Sequence, residues 1–465
     1  MGDHDRYTLA QRWLLRRDPG LVHPNTLHDI YSGRTLYLSD GAFLAAAVWE
    51  HNAATPAEVT AFLTGRRAGP PPGRVAPLAE ELAATGVLVP AAGAGAGAVA
   101  GAGRGAGAGR GAGAGAGGAP GVHVAEAPLD VEIHPARHCN LSCRHCAYDA
   151  PAAPGPVLPL SAWVAIIDEL AALRTRHIIV SGGEPCLYPG FDGLVEHLAG
   201  KRMRVGVLTN GTLITPGRAR SLARPHIAVT VSLDGPDAVT HDWLRGRGAF
   251  ARVRAGLDLL VRHGVAVNIA MTVHRLNACA MEAVLRAGVA VGARTVGFLM
   301  IDSIGRAARD RQLGLTRREL ASAVERARDL AARFGEATRV AYLDSSELHY
   351  QDFELPAPSA PIFCTAGTTR IAIRSDGTVH PCVYSFGDDS FAMGQAPADA
   401  IADIWASPRW RPFRGGIGLD DLRECRSCVD AASCTLKLCR LRAYCASGDL
   451  LAAPPGCRRH QVACS

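Results

Sequence analysis

Lysine and long apolar runs are almost missing from this sequence. Of 49 lysine and arginine residues only two are lysines, Lys201 and Lys437, and the formal net charge is a mild +6 over 465 residues. No run of 18 apolar residues occurs, so no transmembrane helix is expected. The acidic N-terminus, residues 1–5, lacks the pattern of a secretory signal peptide. These absences predict a cytoplasmic protein without a membrane partner.

Fourteen cysteines stand out against this background. Disulfides explain them poorly, because a reducing cytosol disfavours disulfides. The cysteines are clustered, with three in 139–146 and eight in 382–464. Clustered cysteines in such a protein more often bind metal, whereas an even spread would have indicated buried core thiols. The sequence therefore predicts metal-binding regions in two parts of the chain.

Residues 91–121 are almost wholly glycine and alanine. Such a segment has no side chains to bury, so we expect a flexible linker; a disordered insertion within one domain is the alternative. The linker separates an N-terminal unit at 1–90 from a central domain at 122–335 and a C-terminal domain at 336–465. The C-terminal domain has few periodic apolar runs and needs staples, which its cysteines can supply.

The N-terminal unit is predicted to be a small α+β domain of winged-helix type. Thr55 precedes Pro56, so a helix with Thr55 as its N-cap is expected to begin there. The predicted elements are strands at 35–38 and 87–89 and helices at 41–50, 56–63 and 75–85.

The central domain alternates apolar, β-branched runs with helical patterns. Six such β-α units in a row predict an α/β fold with a parallel sheet or partial barrel. In such folds ligands bind at the carboxyl ends of the strands. The predicted strands are 131–133, 177–180, 205–208, 227–233, 265–273 and 296–301, and the predicted helices are 161–173, 191–199, 217–223, 250–263, 278–287 and 316–334.

Three cysteines follow the first of these strands in the pattern Cys139-x3-Cys143-x2-Cys146. Three thiolates on a short loop can ligate three irons of a [4Fe–4S] cubane and leave the fourth iron without a protein ligand. An open iron suits a chelating substrate such as S-adenosylmethionine (SAM), which offers an amino group and a carboxylate. Three unrelated core thiols are the alternative, but spacing and position agree in favouring a cluster.

Short polar motifs end the next three strands. The segment 181–184, Ser-Gly-Gly-Glu, ends the second strand, and its two glycines would let the backbone approach a ligand closely. Asn210 ends the third strand and Ser232 the fourth. Each motif could also be an ordinary turn. Their combination with the cysteine loop is what makes the pattern specific.

Together these motifs resemble the radical SAM superfamily over about residues 130–335. The spacing of the three cysteines matches the family, although His145 stands where an aromatic residue is usual. The segments 241–246 and 305–307 resemble those of peptide-modifying members. The implied fold is a partial (β/α)6 barrel. The implied SAM contacts are Tyr148, Ser181, Gly182, Gly183, Glu184, Asn210, Ser232 and Arg245.

The same resemblance implies roles within this set. Gly182, Gly183 and Glu184 would hold the SAM amino group, and Tyr148 would contact the adenine. SAM would be cleaved to methionine and a 5′-deoxyadenosyl radical, which abstracts hydrogen from an unactivated C–H bond. A flavodoxin or ferredoxin would supply the electron. No side chain identifies itself as a general base; Asp302, at the end of the sixth strand, is a candidate, with a salt bridge or helix cap as the alternative.

The C-terminal domain carries nine cysteines, three of them in a tight Cys-x2-Cys-x5-Cys group at 425–434. Sites of four cysteines suit zinc, so spacing alone leaves zinc open. The set also resembles the SPASM extension of radical SAM enzymes, which holds two auxiliary [4Fe–4S] clusters. By position, the first would be bound by Cys364, Cys382 and Cys439, and the second by Cys425, Cys428, Cys434 and Cys457.

One spacing departs from the SPASM pattern. Four residues, rather than the usual three, separate Cys434 from Cys439. Either Cys439 or Cys445 could therefore be the ligand, and the first auxiliary cluster could be open or closed by Cys445. Cys464 is left over.

The N-terminal unit resembles the PqqD-like domains of peptide-modifying radical SAM enzymes. Such domains bind a leader peptide as an added strand, and a tether would keep the bound leader near the barrel. The implied function is a maturase that modifies a ribosomally made precursor peptide, with cross-link formation as the expected reaction.

Two other functions compete with this one. A maturase of a folded protein, such as a sulfatase or a quinone-bearing dehydrogenase subunit, would share the barrel and the SPASM part. An iron–sulfur regulator that binds DNA would share the winged helix. Residues 1–90 contain eight Arg, no Lys and nine Asp or Glu, so this unit has little charge with which to neutralise phosphates. A nucleic-acid partner is therefore not expected.

Overall fold

The computed structural model describes about three quarters of the chain. The predicted linker at 91–121, together with Cys434 and Cys464, lies outside the described residues. The described residues are 7–9, 13–17, 25–29, 35–38, 40–51, 54–63, 74–85, 87–90, 124–302, 304–343, 364–414, 417–428, 439–453 and 457.

The N-terminal unit combines three helices with two small antiparallel sheets. Its core surrounds the fully buried indole of Trp49. The Thr55 hydroxyl accepts a hydrogen bond from the Glu58 amide at 3.1 Å, which confirms the predicted N-cap. Three strands at 7–29 are additional to the prediction. The elements are β1 (Tyr7–Leu9), β2 (Trp13–Arg17), β3 (Asn25–Asp29), β4 (Thr35–Tyr37), α1 (Asp40–His51), α2 (Pro56–Leu63), α3 (Val75–Ala84) and β5 (Leu88–Pro90).

Seven parallel strands form the central sheet, each adjacent to the next in chain order. They are β6 (Asp130–Ala136), β7 (His177–Gly182), β8 (Arg204–Thr209), β9 (Ile227–Ser232), β10 (Ala266–Val273), β11 (Thr295–Met300) and β12 (Arg339–Leu343). The helices are α4 (Leu160–Ala172), α5 (Phe191–Ala199), α6 (Pro216–Leu222), α7 (Ala238–Arg245), α8 (Ala249–Arg262), α9 (Met281–Ala290) and α10 (Arg317–Phe334). The predicted α/β architecture is confirmed, and β12 extends the sheet past residue 335.

Apolar side chains between the strands and the helices hold this sheet together. Val131, Val180 and Val207 are fully buried on successive strands, and Trp163 and Phe191 pack on them from the helices. Burying such a side chain stabilises the fold by about 1.5–3 kcal/mol. Because this core stabilises the sheet, the polar residues at the strand ends are not needed to hold it together and can form a site.

The same sheet continues into the C-terminal part of the chain. The strand β13 (Arg370–Ile373) pairs in parallel with β6, and β14 (Thr378–His380) and β15 (Gly394–Gln395) follow in antiparallel order. Short helices complete this part: α11 (Ile401–Ala406), α12 (Arg411–Arg414) and α13 (Arg440–Ser447). Among the described residues, no helix combines the length and apolar character needed to cross a bilayer.

Candidate functional site

The predicted cysteine loop begins where strand β6 leaves its regular register. The pairing of β6 with β7 shifts between Ile133 and Ala136, around Pro135, which cannot donate to the ladder. Cys139, Cys143 and Cys146 follow on one loop and contact the same small apolar cluster, which includes Leu141 and Ala249. The fold thus brings the three predicted thiols together at the carboxyl edge of the sheet.

Hydrogen-bond donors point at two of these sulfurs. The Leu141 amide lies 3.4 Å and the Asn210 side-chain amide 3.8 Å from Cys139 Sγ, and Arg245 Nη1 lies 3.9 Å from Cys143 Sγ. Desolvation raises the pKa of the Cys139 thiol to about 11, so a bound cation is needed to stabilise its thiolate at neutral pH. Donors of this kind suit thiolates that bind an iron–sulfur cluster.

Arg306, which follows β11, binds the cysteine loop through three hydrogen bonds. Its Nε donates to the Cys143 carbonyl at 2.8 Å, its Nη1 donates to the Ala150 carbonyl at 3.0 Å, and its backbone amide donates to the Cys146 carbonyl at 2.9 Å. Gly305 precedes it with φ +61°, and a Cβ there would lie 2.4 Å from the Cys146 oxygen. The segment 305–307 therefore holds the loop in place.

The two glycines of the 181–184 segment pack closely against the chain that carries the cysteines. A Cβ on Gly182 would lie 2.4 Å from the Ala136 oxygen, and one on Gly183 would lie 2.1 Å from the His138 oxygen. The Gly183 amide donates to the Ala136 carbonyl at 3.0 Å. The close approach required of these glycines is thus to the chain that carries the cysteines.

Glu184 follows β7 and is held by donors from the next strand. Its carboxylate is fully buried and accepts hydrogen bonds from Thr209 Oγ1 at 2.7 Å, the Asn210 amide at 2.8 Å and the Cys186 amide at 3.2 Å. Three donors thus hold this carboxylate in place, and its pairing with the SAM amino group stays a prediction. Glu184 therefore ties the end of β7 to the end of β8.

Asn210 lies at the centre of a polar chain beside the cluster loop. Its amide nitrogen donates to Asn140 Oδ1 at 2.9 Å as well as towards Cys139, and its own Oδ1 accepts from the Thr212 hydroxyl at 2.6 Å. Ser181 and Ser232, both half-buried, lie at the ends of β7 and β9 on the same edge. Asn210 therefore lies beside Cys139, and the two serines lie on the same edge of the sheet.

A buried ion pair joins α7 to the end of β9. Arg245 donates through Nε to Asp234, whose other oxygen accepts the Thr272 amide at 2.7 Å. Burial works to raise the pKa of Asp234, but Arg245, with His145 and His241, outweighs it and holds that pKa at about 2. Arg245 thus reaches the cysteine loop as a cation anchored by a carboxylate.

Sequence reasoning missed Asp234, because an Asp-Gly pair at a strand end resembles a simple turn. It also treated His145 only as a substitution for an aromatic residue. His145 lies 3.4 Å from Arg245 Nη2, and burial lowers the pKa of His145 to about 3. It is therefore a neutral imidazole beside the guanidinium.

Replacing Asp234 with alanine should destabilise the barrel by about 3–5 kcal/mol, because Arg245 would remain buried without its counter-ion. Urea unfolding followed by circular dichroism measures this change. Asp192→Ala is the matched control, since that carboxylate is largely exposed and 3.9 Å from Arg218, and it should cost under about 1 kcal/mol. Equal losses for the two variants would contradict this role for Asp234.

Tyr148 lies between the barrel and the C-terminal part. Its ring meets His134 edge-to-face with centroids 5.0 Å apart and Phe386 at 5.9 Å. Burial raises the pKa of Tyr148 to about 12. This position, two residues after Cys146, keeps the ring near the cysteine loop and also makes it part of the interface between the two regions.

Asp302 follows β11 and is paired across that interface. Its carboxylate accepts a hydrogen bond from Tyr384 Oη at 2.9 Å and forms an ion pair with Arg442 of α13. The geometry favours the salt-bridge alternative over the general-base role. Asp302 thereby connects a barrel strand end to the helix that follows Cys439.

Two sets of cysteines lie in the C-terminal part. Within the first, the thiols of Cys364 and Cys439 interact with each other. Desolvation raises the pKa of the half-buried Cys382 thiol, and Cys439 and, more weakly, Cys445 raise it further. Within the second, Cys425 is buried and Cys428 and Cys457 are half-buried. The first set therefore gathers both of the residues, Cys439 and Cys445, between which the spacing could not choose.

Single-ion geometry is not seen in either region. In the part of the chain that the structure describes, no three His, Cys, Asp or Glu side chains converge on a point that one metal ion could occupy. A cubane instead takes one thiolate at each of its irons. Two further cysteines stand apart, since Cys186 is buried beneath the 181–184 segment and Cys279 is exposed on a turn before α9.

Two families of known proteins match the two cysteine-bearing regions. A model of the radical SAM superfamily matches residues 133–287, and a model of an iron–sulfur cluster-binding domain, SPASM, matches residues 364–429. The chain is 28% identical to the AdoMet-dependent heme synthase of Nitratidesulfovibrio vulgaris, over 69% of this chain and 89% of that protein. It is 26% identical to the PqqA peptide cyclase of Methylocella silvestris, over 71% of this chain and 87% of that protein.

Among solved structures, the fold is similar to SuiB of Streptococcus suis bound to its precursor peptide SuiA. The TM-score is 0.73 at 15% identity, and the match covers 97% of this chain and 99% of that one. The likeness therefore extends over the fold of nearly the whole chain, including the N-terminal unit.

Proposed function

Since the chain is a radical SAM enzyme with a SPASM domain, we propose that it is a maturase that cross-links a ribosomally made precursor peptide. The observation that carries this proposal is the similarity to a PqqA peptide cyclase over 71% of this chain and 87% of that protein. Similarity to peptide maturases such as the subtilosin protein AlbA of Bacillus subtilis, 27% identical over 60% of each chain, supports it.

The loop cysteines and their neighbours fit the SAM-binding cluster. Cys139, Cys143 and Cys146 would ligate it, and SAM bound there supplies a 5′-deoxyadenosyl radical when an electron arrives from a flavodoxin or ferredoxin. The backbone of the 181–184 segment and Asn210, Ser232 and Arg245 would orient SAM. The buried carboxylates of Glu184 and Asp234 hold these contacts rigid, which favours a single orientation of the reacting carbon.

The N-terminal unit would bind the leader of this precursor peptide. Arg174 donates to both Glu50 oxygens at 2.9 Å and to the Leu15 carbonyl at 2.5 Å, so it fixes α1 and β2 to the turn after α4. A bidentate pair of this kind adds geometric specificity. The three-stranded sheet β2-β3-β4 ends in two strands that could each accept an added peptide strand.

The decisive experiment supplies the peptide. The anaerobically reconstituted enzyme is incubated with SAM, a reductant and the peptide encoded beside its gene. A product lighter by two hydrogen atoms, formed together with 5′-deoxyadenosine, is expected. Formation of 5′-deoxyadenosine with no change in any peptide would contradict the proposal and favour a folded-protein substrate. A changed tetrapyrrole would favour the reaction of the heme synthase, to which the chain is as similar.

Two auxiliary clusters complete the proposal. The second would be held by Cys425, Cys428, Cys434 and Cys457, and the first by Cys364, Cys382, Cys439 and Cys445 together. The position of Cys445 supports its inclusion, because its Sγ lies 3.2 Å from the Tyr384 carbonyl, two residues after Cys382. The pKa of Cys445 is raised to about 11 by desolvation and then by Cys439 and Asp302.

The Cys445→Ala variant tests this ligand by iron content. The wild type should hold about twelve irons per chain, at roughly four for each cubane. On mild oxidation the variant should lose about one of them, because a cubane iron without a protein ligand dissociates most easily. Cys279→Ala, which removes another exposed thiol, should lose none. Identical iron loss in the two variants, or zinc in place of iron, would contradict this ligand set.

A further inference from the structure

Arg440 is a buried cation beside the auxiliary cysteines. It begins α13 directly after Cys439 and is only 5% exposed. Its Nη1 donates to the Leu450 carbonyl at 3.1 Å and to the Ala452 carbonyl at 3.0 Å. Its Nε and Nη2 are buried and have no hydrogen-bond partner within the described part of the chain.

Within the described residues, no carboxylate pairs with Nε or Nη2 of this cation. The nearby Glu424 has an oxygen that already accepts the Ala453 amide at 3.0 Å. Burial lowers the pKa of Arg440. The thiols of Cys425, Cys439 and Cys364 raise this pKa, and each of them does so more strongly than Glu424. A buried charge without a partner is costly. Arg440 is therefore arranged for an anion that the cysteines hold.

These three cysteines are divided between the two proposed auxiliary sets. Cys364 and Cys439 belong to the first and Cys425 to the second, so members of both sets act on the Arg440 charge. A cubane bound by four thiolates carries negative charge, and net charge and hydrogen bonds to sulfur set its reduction potential. A single guanidinium with two spare donors can serve two such groups at once.

We propose that Arg440 is the shared counter-ion of the two auxiliary clusters and raises the reduction potentials of both. The proposal rests on the two-cluster assignment above. Arg440 favours electron acceptance without contacting the substrate, since its charge stabilises the more negative, reduced form of each cluster. A purely structural role, in which Nη1 only ties α13 to residues 450–452, would leave the potentials unchanged.

The test is a redox titration of the full-length, reconstituted enzyme followed by electron paramagnetic resonance. In Arg440→Met, both auxiliary potentials should shift to more negative values, while the SAM-binding cluster keeps its potential. Arg440→Lys keeps the charge and loses the fork of donors, so its shift should be smaller. Arg423→Met is the matched control, because that side chain is 68% exposed and pairs with Asp449; it should shift neither potential.

The outcomes separate this inference from the assignment on which it rests. Unchanged auxiliary potentials in Arg440→Met, with full iron content, would overturn the counter-ion role. If Arg440→Met loses iron, Arg440→Lys decides: a negative shift supports the role, and an unshifted pair of potentials overturns it. A wild type with about four irons and one cluster signal would instead overturn the two-cluster assignment itself.

Discussion

Replacing Cys143 with serine is expected to reduce 5′-deoxyadenosine formation to an undetectable level. Cys143 is the buried member of the loop trio, and its sulfur faces Arg245 while its carbonyl accepts a hydrogen bond from Arg306. A serine hydroxyl is a far poorer iron ligand than a thiolate. Without the third thiolate the cluster cannot keep the one open iron that SAM needs.

Two measurements check this expectation. The 5′-deoxyadenosine formed after adding SAM and reductant is quantified, and iron is counted in the same samples. The variant should hold about four irons fewer than the wild type. Cys279→Ser is the control, because Cys279 is exposed on the turn before α9 and should leave both values unchanged. Substantial SAM cleavage by Cys143→Ser would refute the assignment of this loop.

The central sheet was predictable because each of its strands is a local signal. Apolar, β-branched runs mark β6 to β11, and helices such as α5 at 191–199 coincide with the predicted span. The helix α7 was not predicted, since it is only eight residues long and half of its residues are polar. The short strands β13 to β15 were not predicted either, because two to four residues carry too little periodicity.

The site was predictable by residue and much less by contact. The sequence places Gly183 and Glu184 near SAM, and the fold does bring them to the cysteine loop. Their contacts, however, are with the chain around His138 and with the end of β8, which no local pattern specifies. Likewise the pairing of Asp302 with Arg442 joins residues 140 positions apart. Such partners depend on the tertiary fold.

A second large effect is expected from pH. Three histidines, His241, His274 and His380, are almost wholly buried in the barrel and its C-terminal extension. Burial lowers the pKa of each to about 4, against about 6.5 in an unfolded chain. Between about pH 4 and pH 6.5 the unfolded chain therefore binds protons at these histidines that the folded chain does not bind.

The sign of the effect follows from this difference. Above pH 6.5 the three imidazoles are neutral in both states and cost nothing. As the pH falls below 6.5, the unfolded state gains protons first, so the free energy of unfolding decreases until about pH 4. At pH 5 each histidine should cost about 2 kcal/mol, or about 6 kcal/mol together. This is comparable with the whole stability of an ordinary domain.

Urea unfolding at pH 7.5 and pH 5.0 measures this loss, and the double variant His274→Gln/His380→Gln identifies its source. The variant should lose about 4 kcal/mol less than the wild type between the two pH values, because two of the three groups no longer titrate. Any acid lability of the clusters affects the wild type and the variant alike, so it cancels in this comparison. His197→Gln serves as the control, since His197 is partly exposed and pairs with Asp168 at 2.7 Å. If the double variant and the control have the same pH dependence as the wild type, the buried histidines do not cause the acid sensitivity.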